Sequence, residues 1–260
     1  MRPILTSTAP PPGLTIGGVA DPCFETPRLA ALYDPLDPDR ADLLAYLGLA
    51  GEFGARSVLD IGCGTGTLAC LLARRGVRVT AADPAAASLA VARRKPGAEH
   101  VRWLHADARS LPPLRVDLVT MTGNVAQVFL TGQDWVAALR SVRQALRPGG
   151  RLVFESRDPA RAAWLEWTRD QTYRRVVVPG TGPVETWTDL MAVEGNLVSF
   201  RTIFVVGRDR TVLTSDSTLR FRSRDELTRS LLAAGLAVDE VRDAPDRPGR
   251  EFVFIASRPS

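Results

Sequence analysis

Asp60, Gly62, Gly64 and Gly66 lie in one stretch, Ser57–Gly66, reading SVLDIGCGTG, and their types and spacing suit chemistry on a nucleotide-like ligand. Glycines at alternate positions permit a tight turn and let the backbone come close to a ligand that side chains would hold off. The apolar run Ser57–Ile61 is long enough for one buried strand, and Thr67–Arg75 resumes with helix-forming residues. Strand, glycine turn and helix open a nucleotide-binding α/β unit. The spacing G-x-G-x-G departs from the pyrophosphate fingerprint G-x-G-x-x-G, because position 67 is threonine. Cys63, inside the loop, reads as a small filler and not as a nucleophile. Two further acids end apolar runs: Asp83 follows Val77–Ala82 and precedes Pro84, and Asp107-Ala108 follows Val101–His105. An ionised carboxylate offers two acceptor oxygens, enough for a pair of ribose hydroxyls. The plain alternatives are a helix N-terminal charge at Asp83 and a turn residue at Asp107.

At these residues the chain resembles the class I S-adenosylmethionine-dependent methyltransferases, in the branch acting on small molecules. The resemblance covers Ser57–Glu155 well and the last forty residues more loosely. It implies that Asp60 lies near the amino group of the cofactor's methionine part, which the loop Gly62-Cys63-Gly64-Thr65-Gly66 backs. It implies that Asp83, with Pro84, takes the ribose hydroxyls and that Asp107 and Ala108 lie near the adenine. Thr122-Gly123-Asn124-Val125-Ala126-Gln127 then occupies the position beside the transferable methyl, where Thr122 and Asn124 can reach the cofactor; Asn124 and Gln127 either bond cofactor or substrate or satisfy buried backbone. The acid-or-Asn-Pro-Pro-aromatic signature of enzymes that methylate nucleic-acid amines or protein glutamine is missing there. The implied cofactor is S-adenosyl-L-methionine, leaving as S-adenosyl-L-homocysteine. Tyr33-Asp34 resembles a pair that family members fold over the cofactor cleft, or it anchors a turn.

The elements that must position these residues follow from the pattern of apolar residues and breakers. We expect an α/β fold: a doubly wound, Rossmann-like seven-stranded sheet with its last strand antiparallel, and an antiparallel β lid inserted after the fifth strand. Met1–Gly18, with Pro10-Pro11-Pro12, reads as flexible, so that residues 1–22 form a loose N-terminus. Residues 23–157 and 223–260 are expected to form the cofactor-binding domain, and 158–222 the β-rich substrate subdomain. Short helices are expected at Phe24–Tyr33 and Asp39–Leu49, strands at Val116–Met121 and Arg151–Glu155, and a helix at Trp135–Leu146 between them. Beyond Glu155 a helix is expected over Ala160–Arg169. Four β-rich runs follow: Tyr173–Val178, Val184–Val193, Leu197–Val206 and Thr211–Phe221, separated by hairpin-turn signals. Ser223-Arg-Asp-Glu226 is a capping box that opens a helix to Ala234, and Ala237–Arg242 and Glu251–Ser257 finish as strands. The β insertion closes the cleft as a lid, or extends a sheet for homodimerisation.

Composition narrows the functions further. The 260 residues, 45% hydrophobic and 24% charged, are ordinary for a soluble globular domain, and no stretch approaches the ~20 apolar residues of a membrane span. A cytoplasmic protein is expected, since the proline-rich start lacks a signal peptide's apolar core. Cys23, Cys63 and Cys70 have no metal-ligand spacing, so no metal is expected. The net charge of +4 comes from scattered arginines, with Lys95 the only lysine, and not from the continuous basic stripe of a nucleic-acid binder. The best-supported function is methyl transfer by direct displacement to an O, N or C atom of a small metabolite. Alternatives are a methyltransferase acting on RNA or protein, a non-catalytic cofactor-binding module, and a NAD(P)-dependent oxidoreductase. Against the last stand Thr67 and the absence of a Tyr-x-x-x-Lys pair. A general base is needed only where the acceptor holds a proton of high pKa. His105, Arg157 and Tyr33 are the only candidates for a catalytic part, and none is assigned; Arg157 either clamps an acidic substrate or pairs with Asp158 or Glu155.

Overall fold

The computed structural model describes residues 20–260. The expected flexible stretch Met1–Gly18 lies outside the described residues, whereas Pro22 already begins a helical turn. Seven strands form the main sheet: β1 (Ser57–Ile61), β2 (Arg78–Asp83), β3 (Val101–His105), β4 (Val116–Met121), β5 (Leu146–Arg157), and, after an insertion, β10 (Ala237–Asp243) and β11 (Glu251–Ser257). Their order is β10-β11-β5-β4-β1-β2-β3; β1 to β5 run parallel, and β11 is antiparallel to both neighbours. The insertion supplies a second, four-stranded antiparallel sheet, β6 (Arg174–Val178), β7 (Gly182–Glu194), β8 (Leu197–Val206) and β9 (Thr211–Arg220).

Helices cover both faces of the main sheet, which is why β1 is buried from Val58 through Ile61 and shows no alternation. One face packs on α4 (Asp42–Glu52) and α5 (Thr67–Ala73) through Leu43, Tyr46, Leu68 and Leu72. The other packs on α7 (Gly132–Ala145) and α9 (Arg224–Ala233) through Trp135, Leu139, Leu227 and Leu231. Phe154 is the centre of that side: fully buried, it stacks on Phe254 at 5.1 Å and meets the edge of Trp135 at 5.6 Å. Ser223 caps α9 by accepting the backbone N–H of Glu226, as its capping box requires.

β5 begins at Leu146, five residues before the expected Arg151, and α4 runs Asp42–Glu52 where Asp39–Leu49 was expected; two other stretches depart further. The single helix expected over Phe24–Tyr33 is three one-turn helices, α1 (Pro22–Glu25), α2 (Pro27–Ala30) and α3 (Tyr33–Leu36), and Asp34-Pro35 lies inside the third. Proline starts a helix well but cannot continue one, so Pro27 ends the first turn and opens the next. The helix expected over Ala160–Arg169 is replaced by 3₁₀ turns at Pro159–Arg161 and Ala163–Glu166, split by Ala162 at φ 45°; a short helix, α8 (Arg169–Thr172), follows. This path brings Trp164 and Trp167 onto Phe221 and Phe200, with ring centroids 4.6 and 4.7 Å apart in the closest pairs, so aromatic packing overrides helix propensity. Among the described residues, no helix is long and apolar enough to cross a membrane.

Truncating the best-packed ring tests this account of the core. Phe154→Ala should lower the unfolding free energy by roughly 3–5 kcal/mol in urea denaturation. A loss below 1 kcal/mol would mean that this face is not the core described.

Candidate functional site

The parallel strands all end at one edge, and strand order reverses between β1 and β4, the point where doubly wound sheets open a crevice. The glycine loop sits there. Gly62 and Cys63 donate their N–H groups to Ala82 O at 2.8 and 3.2 Å, tying the loop to β2. All three glycines have positive φ, but for different ends. A Cβ on Gly62 would collide with Val125, and one on Gly66 with Trp103 and Ala92, whereas a Cβ on Gly64 would meet no protein atom within 4 Å. The outer glycines serve packing; the middle one faces open space.

Two acids frame that space. Asp83, 6% exposed, accepts the N–H of Gly64 at 2.7 Å on one oxygen and that of Ala85 at 2.8 Å on the other. Burial raises its pKa, the two backbone donors pull it back down, and each oxygen keeps a free lone pair. Asp60, 1% exposed, takes the Thr120 hydroxyl at 2.8 Å on Oδ1, while Oδ2 has no partner. Burial pushes its pKa to about 7 despite that hydroxyl, so a neighbouring cationic donor would both satisfy the orphan oxygen and restore the charge.

The other residues singled out from sequence fall into two groups. Asp107 is committed to Arg109, accepting its backbone N–H at 2.7 Å and its guanidinium at 2.8 and 2.9 Å; Arg109 also reaches Asp134. Ala108 is buried in the core beneath it. His105 is exposed and bonded to the carbonyl of Pro84 at 2.8 Å, two strands away from β4. Thr122, half-buried, leads to Asn124, buried at 3% exposure with φ 62°. Arg157 pairs with neither Asp158 nor Glu155. Its Nη1 donates to Gln127 Oε1 at 3.0 Å and its Nε lies 3.6 Å from Glu251, because the antiparallel register sets Glu251 opposite it.

A buried polar cluster here escaped the sequence reading. Glu155 Oε1 accepts the N–H groups of Gly123 and Asn124 at 2.6 and 3.0 Å, and its other oxygen takes the hydroxyl of Tyr46. Asn124 Nδ2 donates to Glu251 at 3.2 Å, and Arg247 pairs with Glu251 at 2.7 Å. Burial first and the charge of Glu251 second push Glu155 up to about 7. The available signal was an acid inside the apolar run of β5, where only a partnered carboxylate can sit. From the other side Arg222, 1% exposed, donates to the carbonyls of Ala126 at 3.1 Å, Phe129, and Thr131 at 3.4 Å. The segment 122–131 is thus held at both ends.

Residues 20–40 lie across this edge as a strap. Asp34 accepts the hydroxyl of Thr65, inside the glycine loop, at 2.7 Å, and pairs with Lys95 at 2.8 Å. Glu25 takes the N–H of Ala86 at 3.0 Å, and Cys23 donates its N–H to Ser215 of β9 at 2.9 Å. Tyr33 packs at 5.8 Å from Phe24, and burial raises its pKa.

Residues 58–150, the span from β1 into the first residues of β5, match the family described as "Methyltransferase domain". Over that span the chain is similar to a methyltransferase domain. Over 121 residues it is 34% identical to the cypemycin N-terminal methyltransferase of a Streptomyces species, covering 46% of this chain and 49% of that protein. Over 111 residues it is 42% identical to the demethylmenaquinone methyltransferase of Thermus thermophilus, covering 40% and 49%. The chain spans about half the length of the curated relatives it matches. An S-adenosylmethionine-dependent methyltransferase from Clostridium acetobutylicum shares the fold over 90% of this chain and 98% of its own, with TM-score 0.73 and 18% identity. In this domain the loop Gly62–Gly66 and Asp60 occupy the edge where the strand order reverses.

The buried carboxyl of Glu155 makes stability depend on pH in a calculable direction. Its folded pKa of about 7 lies above the ordinary value of 4.5, so the folded state holds the proton more tightly and loses stability as pH rises between them. Relative to wild type, Glu155→Gln should therefore gain up to ~3 kcal/mol in unfolding free energy between pH 5 and pH 8. Parallel stability curves for the two proteins across that range would show that Glu155 is ionised without penalty.

Proposed function

We propose that this chain transfers the methyl group of S-adenosyl-L-methionine to an O, N or C atom of a small molecule, releasing S-adenosyl-L-homocysteine. The observation that carries this reading is the orphan oxygen of Asp60, buried beside a glycine loop whose middle residue, Gly64, faces empty space. The methionine ammonium of the cofactor matches that oxygen in charge and in hydrogen-bonding sense. Asp83, with its spare lone pairs and Pro84 behind it, is positioned to accept the ribose hydroxyls. Ala108 and the Asp107–Arg109 pair form the adenine end; since Arg109 occupies both oxygens of Asp107, the pair acts as a unit there.

When bound, the cofactor supplies a sulfonium methyl, an electrophile whose transfer needs alignment more than acid–base help. The chain's part is to hold the loop carrying Thr122 and Asn124 at a fixed distance from the glycine loop, which Glu155, Arg222 and the contact of Val125 with Gly62 do. The insertion, residues 158–222, serves as a lid whose aromatic residues exclude water from the acceptor. The relatives' names, a peptide N-terminal methyltransferase and a demethylmenaquinone methyltransferase, support an acceptor that is not a nucleic acid. A second use of the insertion is self-association, favoured by the exposed apolar side chains of Val177, Met191 and Val212 on its strands.

Calorimetric titration with S-adenosylmethionine, S-adenosylhomocysteine and NADH tests the reading. Micromolar binding of the first two and none of the third is expected; binding of NADH alone would reverse it. Asp83→Ala should weaken S-adenosylhomocysteine by at least about tenfold, since a charge-assisted hydrogen bond is worth roughly 1.5–3 kcal/mol. Unchanged affinity would remove Asp83 from the ribose role. Gly64→Ala should weaken binding at least about tenfold, together with a fall in unfolding free energy of roughly 1–3 kcal/mol, because any side chain at φ 52° strains the loop.

A further inference from the structure

Arg157 stands where three elements meet. It ends β5, donates to Gln127 of the loop after β4, and lies 5.8 Å from the ring of Trp167 at the root of the lid. A guanidinium carries five N–H donors. Here one makes a good hydrogen bond, at 3.0 Å to Gln127, and one a loose ion pair at 3.6 Å to Glu251, whose close partner is Arg247 at 2.7 Å. The side chain of Arg157 keeps 22% of its surface exposed. Gln127 is fully buried, and because its Oε1 faces Arg157 its Nε2 is left without a partner. The guanidinium is therefore aimed by a fixed amide, with donors to spare.

The acids around it are held mainly by other donors: Glu251 pairs with Arg247 at 2.7 Å, Asp246 lies 3.5 Å from Arg247, and Glu155 gives its oxygens to two backbone N–H groups and the Tyr46 hydroxyl. The unused donors of Arg157 lie beside a low-dielectric wall made by Trp164, Trp167, Phe200 and Phe221. We propose that Arg157 docks a carboxylate of the methyl acceptor by paired N–H···O bonds, with the acceptor's ring or apolar body against Trp167, which Phe200 and the buried Phe221 back. Planar bidentate pairing favours a carboxylate, and a flat apolar body matches the aromatic wall. Gln127 is a positioning residue that holds the guanidinium toward the cleft. The assignment names the acceptor class for the methyltransferase reading and rests on that reading only for the word acceptor.

Benzoate and benzamide, alike in shape and different in charge, are the probes. Each is titrated into the whole protein, free and saturated with S-adenosylhomocysteine, with binding read by calorimetry and by tryptophan fluorescence. Benzoate should bind at least about tenfold more tightly than benzamide, Arg157→Gln should bring the two within about twofold, and Arg157→Lys, losing the planar fork but not the charge, should fall between. S-adenosylhomocysteine affinity should be unchanged in Arg157→Gln, so loss of cofactor binding in wild type would strike the methyltransferase reading and leave the carboxylate result standing. Should Arg157→Gln not fold, Gln127→Leu serves instead and should cut the benzoate preference several-fold by releasing the guanidinium. Equal binding of the two probes, no detectable benzoate binding, or a preference that survives both variants overturns the proposal.

Discussion

A carboxylate can be taken out of water only where donors converge on it, and four buried acids at one sheet edge impose that condition on everything near them. Asp60, Asp83, Glu155 and Glu251 end or begin adjacent strands, each less than a tenth exposed. Asp83 is served by the backbone of the glycine loop and of the following helix turn. Glu155 is served by two consecutive amides after β4, and that demand turns Asn124 into the left-handed region. The loops at this edge are therefore shaped from below by the acids they cover. Asp60 is the exception, one oxygen short of a partner, and the exception falls where a ligand is needed.

The same edge is closed from three directions by contacts of different kinds. The strap is tied by charge, through Asp34 and Lys95, and by hydroxyls of the glycine loop. The lid is tied by aromatic packing at its root and by Arg222, which follows its last strand and reads three carbonyls of the loop after β4. Arg222 is buried without a close carboxylate, its Nε lying 3.6 Å from Glu226, so its carbonyl contacts carry most of the compensation for desolvation. A shift of the insertion about its root would therefore strain the segment 122–131. The strap bridges to the lid as well, through Cys23 and Ser215, so the two covers are not independent.

Much of this was legible because glycine, proline and strand-end acids act locally. The spacing of Asp60, Gly62, Gly64 and Gly66 forecast the loop, and the turn signals forecast the four strands of the insertion within a residue or two. What stayed hidden depended on register. Nothing local says that Glu251 lies opposite Arg157, or that Tyr46, a hundred residues before Glu155, supplies its hydroxyl. The expected partners of Arg157 were sequence neighbours, but Glu155, on the same face of β5, is taken by the amides after β4 and by Tyr46, and Asp158 caps the turn that follows through the N–H of Ala160. Asp107 shows the same limit, since Arg109 claims its oxygens through a turn that spacing alone leaves ambiguous. The helix expected over Ala160–Arg169 failed for a related reason: two tryptophans found ring partners more than thirty residues away, Phe200 on β8 and Phe221 just past β9.

The antiparallel run of β11 also sets an order of assembly during synthesis. Because that strand enters the sheet from the cleft edge, its first residue, Glu251, together with Arg247 just before it, completes a cluster whose other members are made far earlier. A nascent chain can form the glycine loop, the strap and the lid while the cluster around Asn124 still lacks its last acid. A chain cut short before Glu251 would also lose Phe254, the ring stacked on Phe154, and the strand that joins β5 to β10. The last strand therefore closes the apolar core and the polar cluster in one step.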